Sequence, residues 1–297
     1  MPDRAAFRAR MVRPATELVV APLALDALSA AIAREVGFDT VYLGGGGLGY
    51  QRAVSEALLT ATEVAEATRA ITERVDVNVI VDGGVGFGDP VHLARAVRTL
   101  EQAGAAGVEI EDQVAPKRVH HHKGVEHLVS KQEMVDRIRV AVDARRDRGF
   151  VIIARCNAIS HDGVAAALER AAAYAEAGAD LLMLFPRDDE EAAAVSNGTS
   201  LPLAAMTVGE RQDARKLLDG GYALSVDAMS ATVLAFRALK AGYGALRAGT
   251  GIGMSEDDIL ASIHEVGRTI GIESMYATEA ATTERAHYAN AGNRGSA

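Results

Sequence analysis

Apolar residues along this chain follow two alternating rhythms. Ala-rich stretches with apolar positions three and four apart lead to a glycine and then to a short, unbroken apolar run, as in "REVGFDTVYLGGG", "EQAGAAGVEIEDQ", "AEAGADLLMLFPR" and "LDGGYALSVDAMS". The first rhythm is that of a helix with one buried face, the second that of a strand buried on both faces in a parallel sheet. Gly37, Gly104, Gly178 and Gly220 stand where a helix ends in the left-handed conformation, so each repeat predicts a helix-to-strand step. Adding "ELVVAP", "VNVIVDGG", "FVIIARCN" and "LPLAAMT" predicts eight strands, at about 17–22, 39–43, 77–82, 106–110, 150–155, 180–184, 201–206 and 221–226.

Eight alternating units predict an α/β fold, a (β/α)8 TIM-type barrel. We expect one barrel domain over 1–297, with its core at about 15–250, a helical extension from about 254 and a frayed tail at "AHYANAGNRGSA". The competing fold is an open doubly wound sheet. Against it, the first strand is followed by "PLALDALSA" rather than a Gly-rich phosphate fingerprint, and the "GGGGLGY" after the second strand is a weak nucleotide motif. In the extension, "SEDDILASIHEVGRTIGI" has an acidic start suited to a helix N-terminus, and Ile259, Ile263 and Val266 form an apolar stripe that needs a cover.

Composition narrows the function classes. A formal net charge of -9, with no basic stripe interleaved with aromatics, argues against a nucleic-acid partner. The single cysteine, Cys156, excludes an intrachain disulfide framework and a Cys-based zinc cluster. The start "MPDRAAFRARMVRP" has no apolar core of the signal-peptide kind, and "LVVAPLALDALSAAIA" is interrupted by Pro22 and Asp26. The expectation is a cytoplasmic protein without a membrane span.

In parallel barrels chemistry sits at the carboxyl ends of the strands. The residues there are Tyr42 with Gly44 to Gly47, Asp82 with Gly83 and Gly84, Glu109 with Glu111 and Asp112, Arg155 with Asn157, and Arg187. Backbone N–H groups at Gly44, Gly45 and Gly46 could approach an anionic oxygen, though the run also suits a plain tight turn. Arg155 has the fork geometry for a carboxylate. Cys156 alternates with it along the strand and should face the other way, as a small buried hydrophobe.

The stretch "EDQVAPKRVHHHKG" holds acids, bases and three consecutive histidines without apolar periodicity. Unpaired charges are costly to bury, so it reads as a loop, and residues 112–129 would arch over the site as a lid carrying Lys117, Arg118, His120 and His121. Adjacent histidines point in different directions and rarely close on one metal, so a solvated loop is the plain alternative.

These residues carry a resemblance. "AGAAGVEIEDQVAPKR", "LVSKQEMVDRIRVAVDAR", "VIIAR", "LDALSA" and "GFDTVYLGGGG" resemble the isocitrate lyase/phosphoenolpyruvate mutase superfamily, especially its methylisocitrate lyase-like branch, over roughly residues 15–250. The resemblance implies a barrel enzyme of the lyase class that uses Mg²⁺ to make or break C–C or C–P bonds beside the carboxylate of a small 2-oxo or 2-hydroxy acid. It also implies a homotetramer, a dimer of dimers with swapped C-terminal helices. Tyr42, Gly45, Asp82, Glu111, Lys117, Arg118, His121 and Arg155 match the family pattern, with Asp82 and Glu111 then at the metal.

Other positions depart from the pattern. The family serine is Gly44, the second aspartate of its metal segment is Gly84, the loop cysteine is Val119 and the glycine after it His120. Asn157, Arg187 and Ala205 replace an aspartate, a glutamate and an asparagine. His120 would then carry the proton that the cysteine supplies. The implied function is cleavage, decarboxylation or hydrolysis next to a carboxylate held by Gly44–Gly46, Tyr42, Arg118, Arg155 and Asn157. The same departures also suit a non-catalytic, carboxylate-binding barrel that has lost the metal.

Overall fold

A computed structural model describes residues 3–209 and 213–285 of the chain; the predicted fraying of 286–297 lies outside the described residues. Eight parallel strands run in the order β1-β8-β7-β6-β5-β4-β3-β2. They are β1 (Val19–Ala21), β2 (Thr40–Leu43), β3 (Asn78–Asp82), β4 (Gly107–Glu111), β5 (Val151–Cys156), β6 (Leu181–Leu184), β7 (Leu203–Thr207) and β8 (Tyr222–Asp227). The ring closes beyond the end of β1, where Leu23 bridges Tyr42 and the Tyr42 N–H donates to the Pro22 carbonyl at 2.9 Å. This is the predicted (β/α)8 barrel.

Helices α1 (Arg4–Arg10), α2 (Ala27–Glu35), α3 (Gly45–Gln51), α4 (Ala61–Thr72), α5 (Pro90–Gln102), α6 (Lys131–Ala144), α7 (Ile159–Glu176), α8 (Asp189–Gly198) and α9 (Ala214–Asp219) accompany the strands. After β8 come α10 (Ser230–Arg247), α11 (Glu256–Thr269) and α12 (Ile272–Ala281). Local chemistry sets several starts. Thr60 and Glu63 close a capping box on α4, Asp89 caps α5 with Pro90 in its first turn, and Ser255 and Asp258 close a capping box on α11.

Alternation along the strands builds two cores. Val41, Val79, Val81, Val108, Ile152 and Leu182 face the helices, while Val19, Ile80, Val151, Ile153, Leu181 and Met183 fill the barrel. Phe7 and Met11, from α1 and just after it, join the inner core, and Arg4 donates to the Ala105 carbonyl just before β4. The amino end of the barrel is thereby plugged, which leaves the carboxyl end for chemistry.

Gly37, Gly104 and Gly178 have the expected positive φ, but Gly220 is in the right-handed helical region and Gly221 takes the positive φ instead. A side chain at 221 would be crowded as well as strained, since a Cβ on Gly221 would stand 2.6 Å from the Arg13 guanidinium carbon. The chain divides into two compact units between Ala235 and Phe236, within α10. In the second unit, Phe236, Leu239, Tyr243 and Leu246 on α10 and Leu260, Ile263 and Val266 on α11 are exposed. No described helix is long and apolar enough to cross a membrane.

Candidate active site

Inward-facing positions at the carboxyl ends of β2 to β5 change from apolar to ionisable. Tyr42, Asp82, Glu109, Glu111 and Arg155 follow the same parity as Ile80 and Ile153, and strand register sets Asp82 beside Glu109 and Glu111 beside Arg155. Burying this many charges demands pairing, and nearly every oxygen has a partner. Tyr42 donates to Glu109 Oε2 at 2.9 Å, and the Arg155 guanidinium donates to Glu109 Oε1 at 3.0 Å. A second nitrogen of Arg155 lies 3.5 Å from Glu111 Oε2, and its cation sits 4.8 Å above the Phe185 ring. Asp82 accepts the Gly84 N–H at 2.8 Å and the Gly45 N–H at 3.0 Å.

Gly45 is required by that approach, because a Cβ there would stand 2.8 Å from Asp82 Oδ2. Its N–H is therefore committed to Asp82, whereas the sequence suggested an oxyanion contact.

The segment after β4 enters the cluster. Its Lys117 ammonium lies 2.5 Å from Glu56 Oε1 and 2.6 Å from Glu111 Oε1, with the side chain only 6% exposed. Gln113 and Asn157 donate to Glu111 Oε2 at 3.0 and 3.3 Å. The premise that charge keeps this stretch out of the interior thus needs correction: Glu111, Asp112, Gln113 and Lys117 are buried because each is paired. Asp112 accepts from Tyr174 at 2.9 Å and from the Asn157 N–H at 2.9 Å.

Beyond Lys117 the segment forms a short 3-10 turn, Val119–Lys123. The His121 and His122 rings lie 4.0 Å apart, and each finds a different partner. His121 Nε2 lies 2.9 Å from Glu56 Oε1, His122 Nε2 lies 2.9 Å from Ser55 Oγ, and His120 is exposed, as is Arg118. Glu56 is the residue that the sequence reading missed; it sits in "SEALLT", a polar stretch with no signal beyond ordinary helix-start chemistry. A 3-10 turn capped by Ser55 holds it.

Electrostatics follow from burial and pairing. Burial pushes the Glu109 carboxyl up to about 7, against the pull of Arg155. It also pushes Asp82 up, and with Asp82 and Glu109 nearby it pushes the Tyr42 phenol up. Burial acts on Glu111 in the same sense, but Arg155 and Lys117 outweigh it and hold that carboxyl below the usual range. Burial opposes the Lys117 charge, yet Glu111, Asp82 and Glu56 together raise its pKa. Cys156 points to the helix side, where burial pushes its thiol up, in keeping with an inert small hydrophobe.

A groove of about 730 Å³, lined by Leu59, Thr60, Phe87 and His92 among others, reaches the cluster at Glu56, Gly84 and Lys117. These three also border a small space of about 30 Å³ beside Asp82.

Does the cluster suit the Mg²⁺ that the resemblance implies? Both Asp82 oxygens accept backbone N–H groups, both Glu111 oxygens face cations or amides, and Lys117 stands between the acids. A Cβ on Gly84, where the family aspartate would be, meets nothing within 4 Å. Among the described residues no three His, Cys, Asp or Glu side chains are placed to hold an ion. The residues present do not form a magnesium site.

A (β/α)8 barrel with buried acids, an arginine and a lysine-bearing loop at its carboxyl end belongs to the class of barrel enzymes that bind small anions. Residues 7–246 match the phosphoenolpyruvate phosphomutase family model, and the chain belongs to that family. It is 41% identical over 214 residues to 2,3-dimethylmalate lyase of Eubacterium barkeri, covering 69% of this chain and 72% of that one. To 2-methylisocitrate lyase of Salmonella typhimurium it is 43% identical over 184 residues, 61% of each chain.

Among solved structures, oxaloacetate acetylhydrolase with 3,3-difluorooxalacetate superposes with a TM-score of 0.84 at 27% identity, over 94% of this chain and 97% of that one. Phosphonopyruvate hydrolase with oxalate and Mg²⁺ also gives 0.84, at 30% identity, over 95% of this chain and all (100%) of the other. The relatives are lyases and hydrolases of small carboxylates.

Proposed function

We propose that the protein is a lyase-type enzyme that breaks a carbon–carbon bond beside the carboxylate of a small 2-hydroxy or 2-oxo acid. The observation that carries this reading is the convergence of Arg155, Tyr42 and Glu109 with Lys117 at the carboxyl end of the barrel, where the groove reaches the cluster at Lys117. For a 2-hydroxy acid, the hydroxyl proton leaves, the C2–C3 electron pair moves to C3, C2–O becomes a carbonyl, and C3 takes up a proton. One proton is removed and one is returned.

Each step has a candidate group. Arg155, with Asn157 beside it at 3.2 Å, holds the carboxylate next to the scissile bond. Tyr42 and Glu109 form the proton acceptor, since a carboxyl pushed up to about 7 takes a proton near neutral pH and its tyrosine partner relays it. Lys117 sets a buried positive charge against the oxygen that turns anionic. Closure of the loop brings His121, the histidine that reaches the cluster, to return the proton at C3. His120, turned to solvent, serves only if the loop rearranges on binding.

Supporting this assignment, Val119 stands where the resemblance places a thiol donor, so an imidazole is the nearest replacement. Incubating the protein with 2,3-dimethylmalate, 2-methylisocitrate, oxaloacetate and phosphonopyruvate tests the reading; failure to bind or turn over any of them contradicts it.

The exposed apolar positions on α10 and α11 support a homo-oligomer, a dimer of dimers in which another copy covers them. A lone buried cysteine without a disulfide partner suits the reducing cytoplasm.

A further inference from the structure

We propose that Lys117, standing between Glu56 and Glu111, is the resident cation of this site, and that the protein binds its anionic ligand without a divalent ion. The inference rests on the function just proposed and settles what kind of charge does its work.

Magnesium takes oxygen ligands at about 2.0–2.1 Å in near-octahedral array and keeps several waters. Here the carboxylate oxygens nearest the loop are already committed. Glu56 Oε1 serves Lys117 and His121, Glu111 Oε1 serves Lys117, and both oxygens of Asp82 accept backbone N–H groups. An ammonium asks for less, since three acceptors at hydrogen-bond distance satisfy it and two are in place, Glu56 Oε1 and Glu111 Oε1.

The space beside Asp82 and Gly84 is about 30 Å³ and borders the larger groove, with Lys117 in the lining of both. Gly84 leaves the adjoining position open: it removes the acid that would complete a ligand set, and no neighbour grows into the gap.

Lys117 belongs to the segment that follows β4, pinned at its base by the bridge between Gln113 and Leu128. Arg155, on β5, is the fixed cation of the same cluster, so Lys117 is the charge there that a movement of this segment would add or withdraw.

The test uses the full chain and oxalate, the anion bound with Mg²⁺ in the related phosphonopyruvate hydrolase. Calorimetric titration of oxalate into protein treated with EDTA, and again with excess Mg²⁺, should give dissociation constants within about twofold of each other. Lys117→Met should weaken oxalate binding at least tenfold, and added Mg²⁺ should not restore it. The inference is overturned if Mg²⁺ tightens wild-type binding tenfold or more, or if Lys117→Met binds oxalate as wild type does. The wild-type comparison stands even where the variant fails to fold. Binding only with Mg²⁺ removes this inference and leaves the proposed function intact, whereas no binding under either condition removes both.

Discussion

Replacing Glu56 by Gln should unlatch the loop and leave the barrel intact. One carboxylate oxygen accepts from Lys117 at 2.5 Å and faces His121 at 2.9 Å, so a single substitution weakens two charge-assisted contacts while keeping the side chain's shape. Hydrogen bonds to charged groups contribute about 1.5–3 kcal/mol each, and an amide oxygen retains part of that. The loss is therefore roughly 2–4 kcal/mol of closure, or a fall of about 30- to 1,000-fold in the closed-to-open ratio.

Hydrogen exchange reads this loss directly. The His121 and Gly124 amides at the tip donate to Arg118 and His121 carbonyls, whereas the Val114 and Val129 amides at the base donate to His127 and Asp112. Tip amides should exchange at least tenfold faster in the variant while base amides hold, because the Glu56 contacts reach the tip side of the segment through Lys117 and His121. Burial raises the Glu56 carboxyl, but Lys117 outweighs it and the net shift is downward. The latch is thus complete above the ordinary carboxylate range and is lost as pH falls through the depressed value. Equal tip-to-base exchange ratios in wild type and Glu56→Gln would refute the reasoning.

Glu109 predicts the opposite pH behaviour: its folded value, about 7 against an ordinary 4.5, penalises folding as pH rises between them. At that shift the penalty is on the order of 3 kcal/mol, so Glu109→Gln should gain unfolding free energy relative to wild type from pH 5 to pH 8, and a constant difference would contradict the assignment. Arg155→Ala should weaken oxalate binding by about 2–4 kcal/mol with the ion pair desolvated, and should also destabilise the fold because Glu109 is left buried without its cation; calorimetry and thermal melts together check both. Ile263→Asp on α11 should lower the mass found by light scattering at micromolar protein, and a monomeric wild type would contradict the interface.

How much of this was legible in the sequence depends on how local the determining physics is. All eight strands lie within a few residues of their predicted positions, because apolar runs bounded by helix-ending glycines are local signals. The exchange of roles between Gly220 and Gly221 was not legible, since two adjacent glycines offer the same conformational freedom. The predicted strand ends pointed to Tyr42, Asp82, Glu111 and Arg155, which the structure brings together, and the family resemblance pointed to Lys117 and His121.

Partners across the chain were beyond reach. Glu56 lies 61 residues before Lys117, and nothing in "SEALLT" marks it as an acceptor. The burial of Asp112 likewise depends on Tyr174, 62 residues away. A run of charges therefore reads as surface until its partners are known, which is why the segment from Glu111 to Lys117 proved more buried than its composition suggested.

The central claim is that this barrel breaks a carbon–carbon bond next to a carboxylate, and product stoichiometry tests it most directly. Protein and 13C-labelled 2,3-dimethylmalate, 2-methylisocitrate or oxaloacetate would be followed by NMR against protein-free controls, with Arg155→Ala and Lys117→Met in parallel. The account predicts that at least one acid is cleaved into two carbon products in equal amounts, with both variants slowed at least a hundredfold. Unchanged substrate in every wild-type sample, or cleavage that proceeds equally in both variants, would contradict it.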